Sequence, residues 1–194
     1  PGQRSVQYQL SRGYVRRALA DLWDKDPLSI PLESPPNSAP ILPDGWGHLS
    51  FSHCLDALLI GWSTHQIGVD IERIDRNINA KKIANRYFCE AELNLINQLK
   101  EEDLKDQFLS YWTAKEAAIK WQRGSIANDL RRWVFYQHKK MAIHNEGNQK
   151  ITINEFKFCK WQIAIAYNLG LKPNKPILCS SYQPAHNIFL IEAK

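Results

Sequence analysis

The chain has 194 residues, 44% of them apolar and 23% charged, with a formal net charge of +5 and a sequence pI near 9.0. That length builds one domain with a substantial core or two small subdomains, and no apolar run reaches the roughly 18–20 residues a membrane-spanning helix needs. Six histidines without an HExxH pattern and four cysteines without a CxxC pair argue against a histidine-built metal centre, a zinc knuckle and a redox dithiol.

The start, Pro1-Gly2-Gln3-Arg4, carries neither Met nor a cleavable signal pattern, as expected of a trimmed or truncated chain. Residues 5–23 predict a helix, because Val6, Leu10, Tyr14, Val15, Leu19 and Leu22 recur at steps of three and four. Arg12 and Arg16 share another face of it, one turn apart. The proline-rich residues 31–40 predict a stiff loop. Residues 48–54 alternate as a strand, 55–62 form an apolar second strand, and 68–74 form a third.

Residues 80–99 carry helical spacing in two pieces around Cys89, with an apolar face (Ile83, Tyr87, Leu93, Ile96) suited to partner docking. Residues 103–121 form the next helix, closed by Gln122-Arg123-Gly124 with Gly124 as its cap. The remainder reads as strands at 132–138, 150–158, 160–167, 177–179 and 188–191. The order predicts an α+β fold in two halves, 1–66 and 67–194, with a seam near 63–67 and the active site at their interface. No regular crossover helices separate the strands, so a doubly wound parallel sheet is not expected. Cys54 and Cys159 read as buried free thiols in a reducing cytosol.

Two segments carry chemistry. In Gly68-Val69-Asp70-Ile71-Glu72 a strand sends Asp70 and Glu72 to one face and Val69 and Ile71 to the other. In Trp112-Thr113-Ala114-Lys115-Glu116-Ala117-Ala118-Ile119-Lys120 a helix of ~3.6 residues per turn places Trp112, Glu116 and Lys120 on one stripe. Each alone has an ordinary reading: a Glu-Lys surface pair, an exposed acidic strand face, and Lys115 on a solvated surface or against phosphate. Together, three carboxylates suit a hard divalent cation, which commonly acts through phosphate.

These residues resemble the 4′-phosphopantetheinyl transferases, in particular the monomeric two-subdomain type that activates surfactin synthetase. Leu49-Ser50-Phe51-Ser52-His53 is similar to that family's Phe-Asn-x-Ser-His strand end. The other two segments are similar to its Gly-x-Asp-x-Glu strand and Trp-x-x-Lys-Glu-x-x-x-Lys helix, and Ser11-Arg12-Gly13-Tyr14-Val15-Arg16-Arg17 to its arginine-rich helix. Ser38-Ala39-Pro40 stands where members carry Gly-Lys-Pro, so the lysine that helps hold coenzyme A phosphates is missing.

The resemblance implies two α/β subdomains related by a pseudo-two-fold axis, with mainly antiparallel sheets packed by helices. It implies transfer of 4′-phosphopantetheine from coenzyme A to a serine of an apo acyl, peptidyl or polyketide carrier protein, releasing 3′,5′-ADP. Mg²⁺, or Mn²⁺ in its place, would sit on Asp70, Glu72 and Glu116. Glu116 would be base, ligand or both, and Lys120 would hold the pyrophosphate. Arg12, Arg16, Ser52, His53, Asp70 and Lys120 would contact the cofactor. The expected enzyme is a cytoplasmic monomer that binds neither nucleic acid nor membrane. Two other readings compete: a non-catalytic basic nucleic-acid module, and a metal-dependent phosphohydrolase built on the same carboxylates.

Overall fold

The computed structural model describes residues 3–33, 35, 38–170, 177–179 and 187–193. Residues 34, 36 and 37 of the predicted stiff loop, and His186, lie outside the described residues. In chain order the elements are α1 (Gln3–Trp23), β1 (His48–Cys54), β2 (Ala57–Ser63), β3 (Ile67–Arg73), α2 (Ala80–Tyr87), α3 (Glu90–Asn97), α4 (Glu101–Gln122) and α5 (Ile126–Asp129). They continue with β4 (Trp133–Tyr136), β5 (Met141–His144), β6 (Lys150–Phe158), β7 (Trp161–Asn168), β8 (Ile177–Cys179) and β9 (Asn187–Ala193). The fold is α+β, as expected.

Two sheets form, in the orders β1-β2-β9-β8 and β3-β7-β6-β5-β4. Every pair is antiparallel except β2 with β9. Alternation along the strands dictates how the layers stack. Leu59 of β2 and Phe189 and Ile191 of β9 face Val69 and Ile71 of β3 and Ile163 and Ile165 of β7, making a dry seam between the sheets. The opposite faces of β2 and β9, with Leu58, Ile60, Ile188 and Leu190, receive Val15 and Leu19 of α1. The outer face of the second sheet receives α4 across Ala164, Ala166, Ile151 and Ile153. Strands buried on both faces read as continuous apolar runs, which is the pattern of β2 and β7.

The predicted boundary at 66/67 falls between β2 and β3, which lie in different sheets. The chain end nevertheless returns to the first sheet, where β9 lies parallel to β2 with Ala57 opposite Asn187.

Four expectations need correction. The strand predicted at 132–138 is present but shorter, as β4; it stops at Tyr136, and a 3-10 turn ending in a left-handed Lys140 (φ 48) leads into β5, an unexpected strand that pairs back on it. Helix α4 is closed by Arg123 in the left-handed region (φ 58), not by Gly124. Gly124 is small for another reason, since a Cβ there would meet the Asp129 carboxylate. Cys159 is exposed, because it sits in the tight β6–β7 turn with a left-handed backbone (φ 51), past the last paired residues Phe158 and Trp161. The apolar face of α2 and α3 is already occupied: Ile96 is buried, Ile83, Tyr87 and Leu93 pack on the α4 core, and only Leu95 stands out at 53% exposure. Among the described residues no helix is long and apolar enough to cross a membrane.

Candidate active site

Strand β3 is an edge strand whose two faces have opposite characters. Ile67, Val69 and Ile71 enter the seam, so Gly68, Asp70 and Glu72 must face α4. Gly68 lets the helix come close: a Cβ there would collide with the Ala117 carbonyl oxygen and the Trp121 backbone nitrogen. That contact seats the Glu116–Lys120 turn over Asp70. Trp112 fixes the helix from its outer side, stacking on Phe108 at 5.7 Å and meeting Tyr87 edge-on at 6.0 Å.

Edge strand β1 of the first sheet meets β3 of the second through two serines. The Val69 N–H donates to Ser50 Oγ at 3.0 Å, and Ser52 Oγ donates to Asp70 Oδ1 at 2.7 Å. Lys120 Nζ donates to the same Oδ1 at 2.6 Å and lies 3.9 Å from Glu116. Asp70 Oδ2 is buried and has no hydrogen-bond partner among the described residues. Arg76 pairs with Glu72.

Crowding of acids controls their protonation. Burial, then the Asp70 charge, pushes the Glu116 carboxyl up to about 8, with Lys120 pulling the other way. Burial and Asp70 also raise Glu72, against Arg76 and Lys120. His53 stands exposed at the end of β1; partial desolvation first, then the Lys120 ammonium, holds its ring below the ordinary histidine value.

A cavity of about 570 Å³ opens beside this cluster, walled by Ser38, Pro40, Leu49, Phe51, Lys120 and Arg123 among others. The Arg12 guanidinium lies 5.9 Å over the ring of Phe51, one of the wall residues. Arg16 is directed elsewhere: its Nη2 donates to the Leu32 carbonyl at 2.8 Å and pins the loop that follows α1.

Lys115 does not lie on the surface. It is fully buried, paired with Glu92 of α3 and 4.8 Å from the Phe88 ring centroid. Burial pulls its pKa down and the Glu92 carboxylate opposes that. The other Glu92 oxygen accepts from the Phe135 N–H at 3.0 Å, so this pair ties α3, α4 and β4 together. Glu92, Arg76 and Arg123 were not singled out from the sequence. The signal for Glu92 was its place three residues after Cys89 at a helix start, where it accepts from the Cys89 N–H.

Among the described residues no group of three or more His, Cys, Asp or Glu side chains is arranged to hold a metal ion as it stands. Asp70 and Glu72 are engaged by Lys120 and Arg76 instead, since buried acids recruit the nearest cation. The donor set still suits a hard cation in kind. It offers carboxylate oxygens only, an orphaned buried acceptor at Asp70 Oδ2, and a Glu116 whose charge is disfavoured by burial and then by its acidic neighbours.

Two comparisons bear on what such a site does. The curated 4′-phosphopantetheinyl transferase HetI of Nostoc sp. (strain PCC 7120) is 28% identical over 127 residues. The match covers 62% of this chain and 53% of that protein, so the chain spans about half the length of its relative. The model of the 4′-phosphopantetheinyl transferase superfamily matches residues 66–179, which include β3 with Asp70 and Glu72 and α4 with Glu116 and Lys120. The chain belongs to the 4′-phosphopantetheinyl transferase superfamily.

Proposed function

We propose that this chain transfers 4′-phosphopantetheine from coenzyme A to a serine of an apo carrier protein, releasing 3′,5′-ADP. The observation that carries the reading is the convergence of Asp70, Glu116 and Lys120 beside a cavity that brings cations and an apolar wall together. Asp70, Glu72 and Glu116 are the residues that would hold Mg²⁺, which when bound neutralises the pyrophosphate charge.

The protein's own groups have the following tasks. Lys120 is within reach of both Asp70 and Glu116 and offsets phosphate charge at the reacting end of the ligand. Glu116, 3.9 Å from Lys120 on the same helix face, is placed to take the proton of the attacking serine hydroxyl. His53 is exposed on the same side as Lys120 and contacts phosphate. Ser52 orients Asp70 through its hydrogen bond, and Arg12 supports the Phe51 wall. Positioning supplies most of the rate, because phosphoryl transfer asks little covalent help of a protein.

The single-chain, two-subdomain type fits this chain, since the β1 and β3 edges that meet at the site come from its two halves. The basic balance of the protein suits an acidic carrier through electrostatic steering. Chromatographic detection of 3′,5′-ADP tests the proposal. Release from coenzyme A that requires an apo carrier supports transfer, whereas release without any carrier points to a phosphohydrolase and contradicts it.

A further inference from the structure

We propose that Arg123 is a cofactor-binding residue that holds the 3′-phosphate of coenzyme A in the cavity it lines together with Lys120. The assignment rests on the transferase reading and extends it to a residue outside the three motifs.

Among the described residues lining the cavity, Lys120 and Arg123 are the charged ones, and both are cations. The remaining walls include Ser38 and Ser50 with Pro40, Ile41, Leu49 and Phe51. An apolar wall that includes the Phe51 ring, beside two cations and no lining carboxylate, suits a base attached to phosphates. The loop wall at Ser38, Ala39 and Pro40 brings no cation of its own, and the two lining cations both come from the C-terminal end of α4.

Arg123 also lines a second cavity of about 570 Å³ that includes Ile41, His48, Thr64 and Gln66. Its exposed side chain therefore stands where the two spaces join. Among the described residues no ion pair joins Arg123 to a carboxylate. Its backbone lies in the left-handed region at φ 58, a conformation that favours glycine at a helix end. Gly124 is next in the chain, yet the arginine occupies the turn, and that turn carries its side chain off the helix toward the cavities.

The position along α4 selects the phosphate. Lys120 sits at Asp70, where the reacting pyrophosphate belongs. A helical rise of ~1.5 Å per residue puts the Arg123 backbone about 4–5 Å further along the axis than Lys120. The next anionic group on the ligand is the 3′-phosphate, and a guanidinium matches it with paired donors.

The test is isothermal titration of the full chain with coenzyme A and with 3′-dephospho-coenzyme A. The main variant is Arg123→Gly, which the left-handed backbone accommodates without strain, and Arg123→Lys keeps the charge. The expected result is a roughly tenfold weaker Kd for coenzyme A in Arg123→Gly, no change for the dephospho ligand, and partial recovery in Arg123→Lys. An equal loss for both ligands, or no loss for either, overturns the assignment while leaving the transferase reading intact. A wild-type chain that binds neither ligand overturns both.

Discussion

Replacing Lys115 with Met removes the ammonium from a buried pair and leaves the carboxylate behind. Lys115 and Glu92 are 0% and 1% exposed, so water cannot take over the lost contact. Glu92 keeps two backbone donors, Phe135 N–H at 3.0 Å and Cys89 N–H at 3.2 Å, which satisfy its lone pairs only in part and do not neutralise it. Breaking one side of a buried ion pair costs about 3–5 kcal/mol. For a chain of this size each kcal/mol moves the midpoint by roughly 2–4 °C, so Lys115→Met should lower Tm by about 10 °C. The double variant Glu92→Met/Lys115→Met removes the orphaned charge and should recover most of that loss, because apolar side chains of similar volume refill the site. Thermal and urea unfolding, followed by tryptophan fluorescence, provide the assay. A single variant within about 2 °C of wild type, or a double variant less stable than the single, would refute the reasoning.

Three further outcomes follow from other parts of the site. Gly68→Ala should cost about 1–3 kcal/mol and lower kcat, because the added Cβ meets the α4 backbone at Ala117 and Trp121; a variant with wild-type stability and turnover contradicts the close approach. Between pH 4.5 and about 8 the folded metal-free chain keeps a proton on Glu116 that the unfolded chain has lost. Its stability should therefore fall as pH rises through that window, and Glu116→Gln should flatten the slope; identical slopes in both proteins count against it. With iodoacetamide at pH 8, exposed Cys159 should be modified well before Cys54, whose thiol is pushed up to about 12 by burial first and by Glu72 and Asp70 next. Peptide mapping reads the order, and equal rates would contradict it.

Local periodicity carried much of the fold into view. The alternation of Val69 and Ile71 with Asp70 and Glu72, and the stripe Trp112, Glu116, Lys120, are consequences of strand and helix geometry and need no partner to be read. What stayed hidden depends on pairings distant in sequence. Nothing near residue 57 announces that β2 lies parallel to a strand beginning at 187. Lys115 reads as a surface residue until its partner, 23 positions earlier, folds over it. The same holds for the site: sequence brought the three acids to one region, but the choice of Asp70 by Lys120 and of Glu72 by Arg76 is a matter of burial and charge. Arg123 escaped notice because a glycine beside it offered the simpler helix end.

The most direct measurement is intact-mass spectrometry of an apo acyl carrier protein after incubation with this chain, coenzyme A and Mg²⁺, beside a Glu116→Gln control of matched stability. The account predicts that the carrier gains one phosphopantetheine with wild type and far less with the control, because Glu116 sits within reach of Lys120 at the reacting end of the cavity. A carrier that stays unmodified by a folded wild-type chain, or a control that loads it equally fast, would contradict the account.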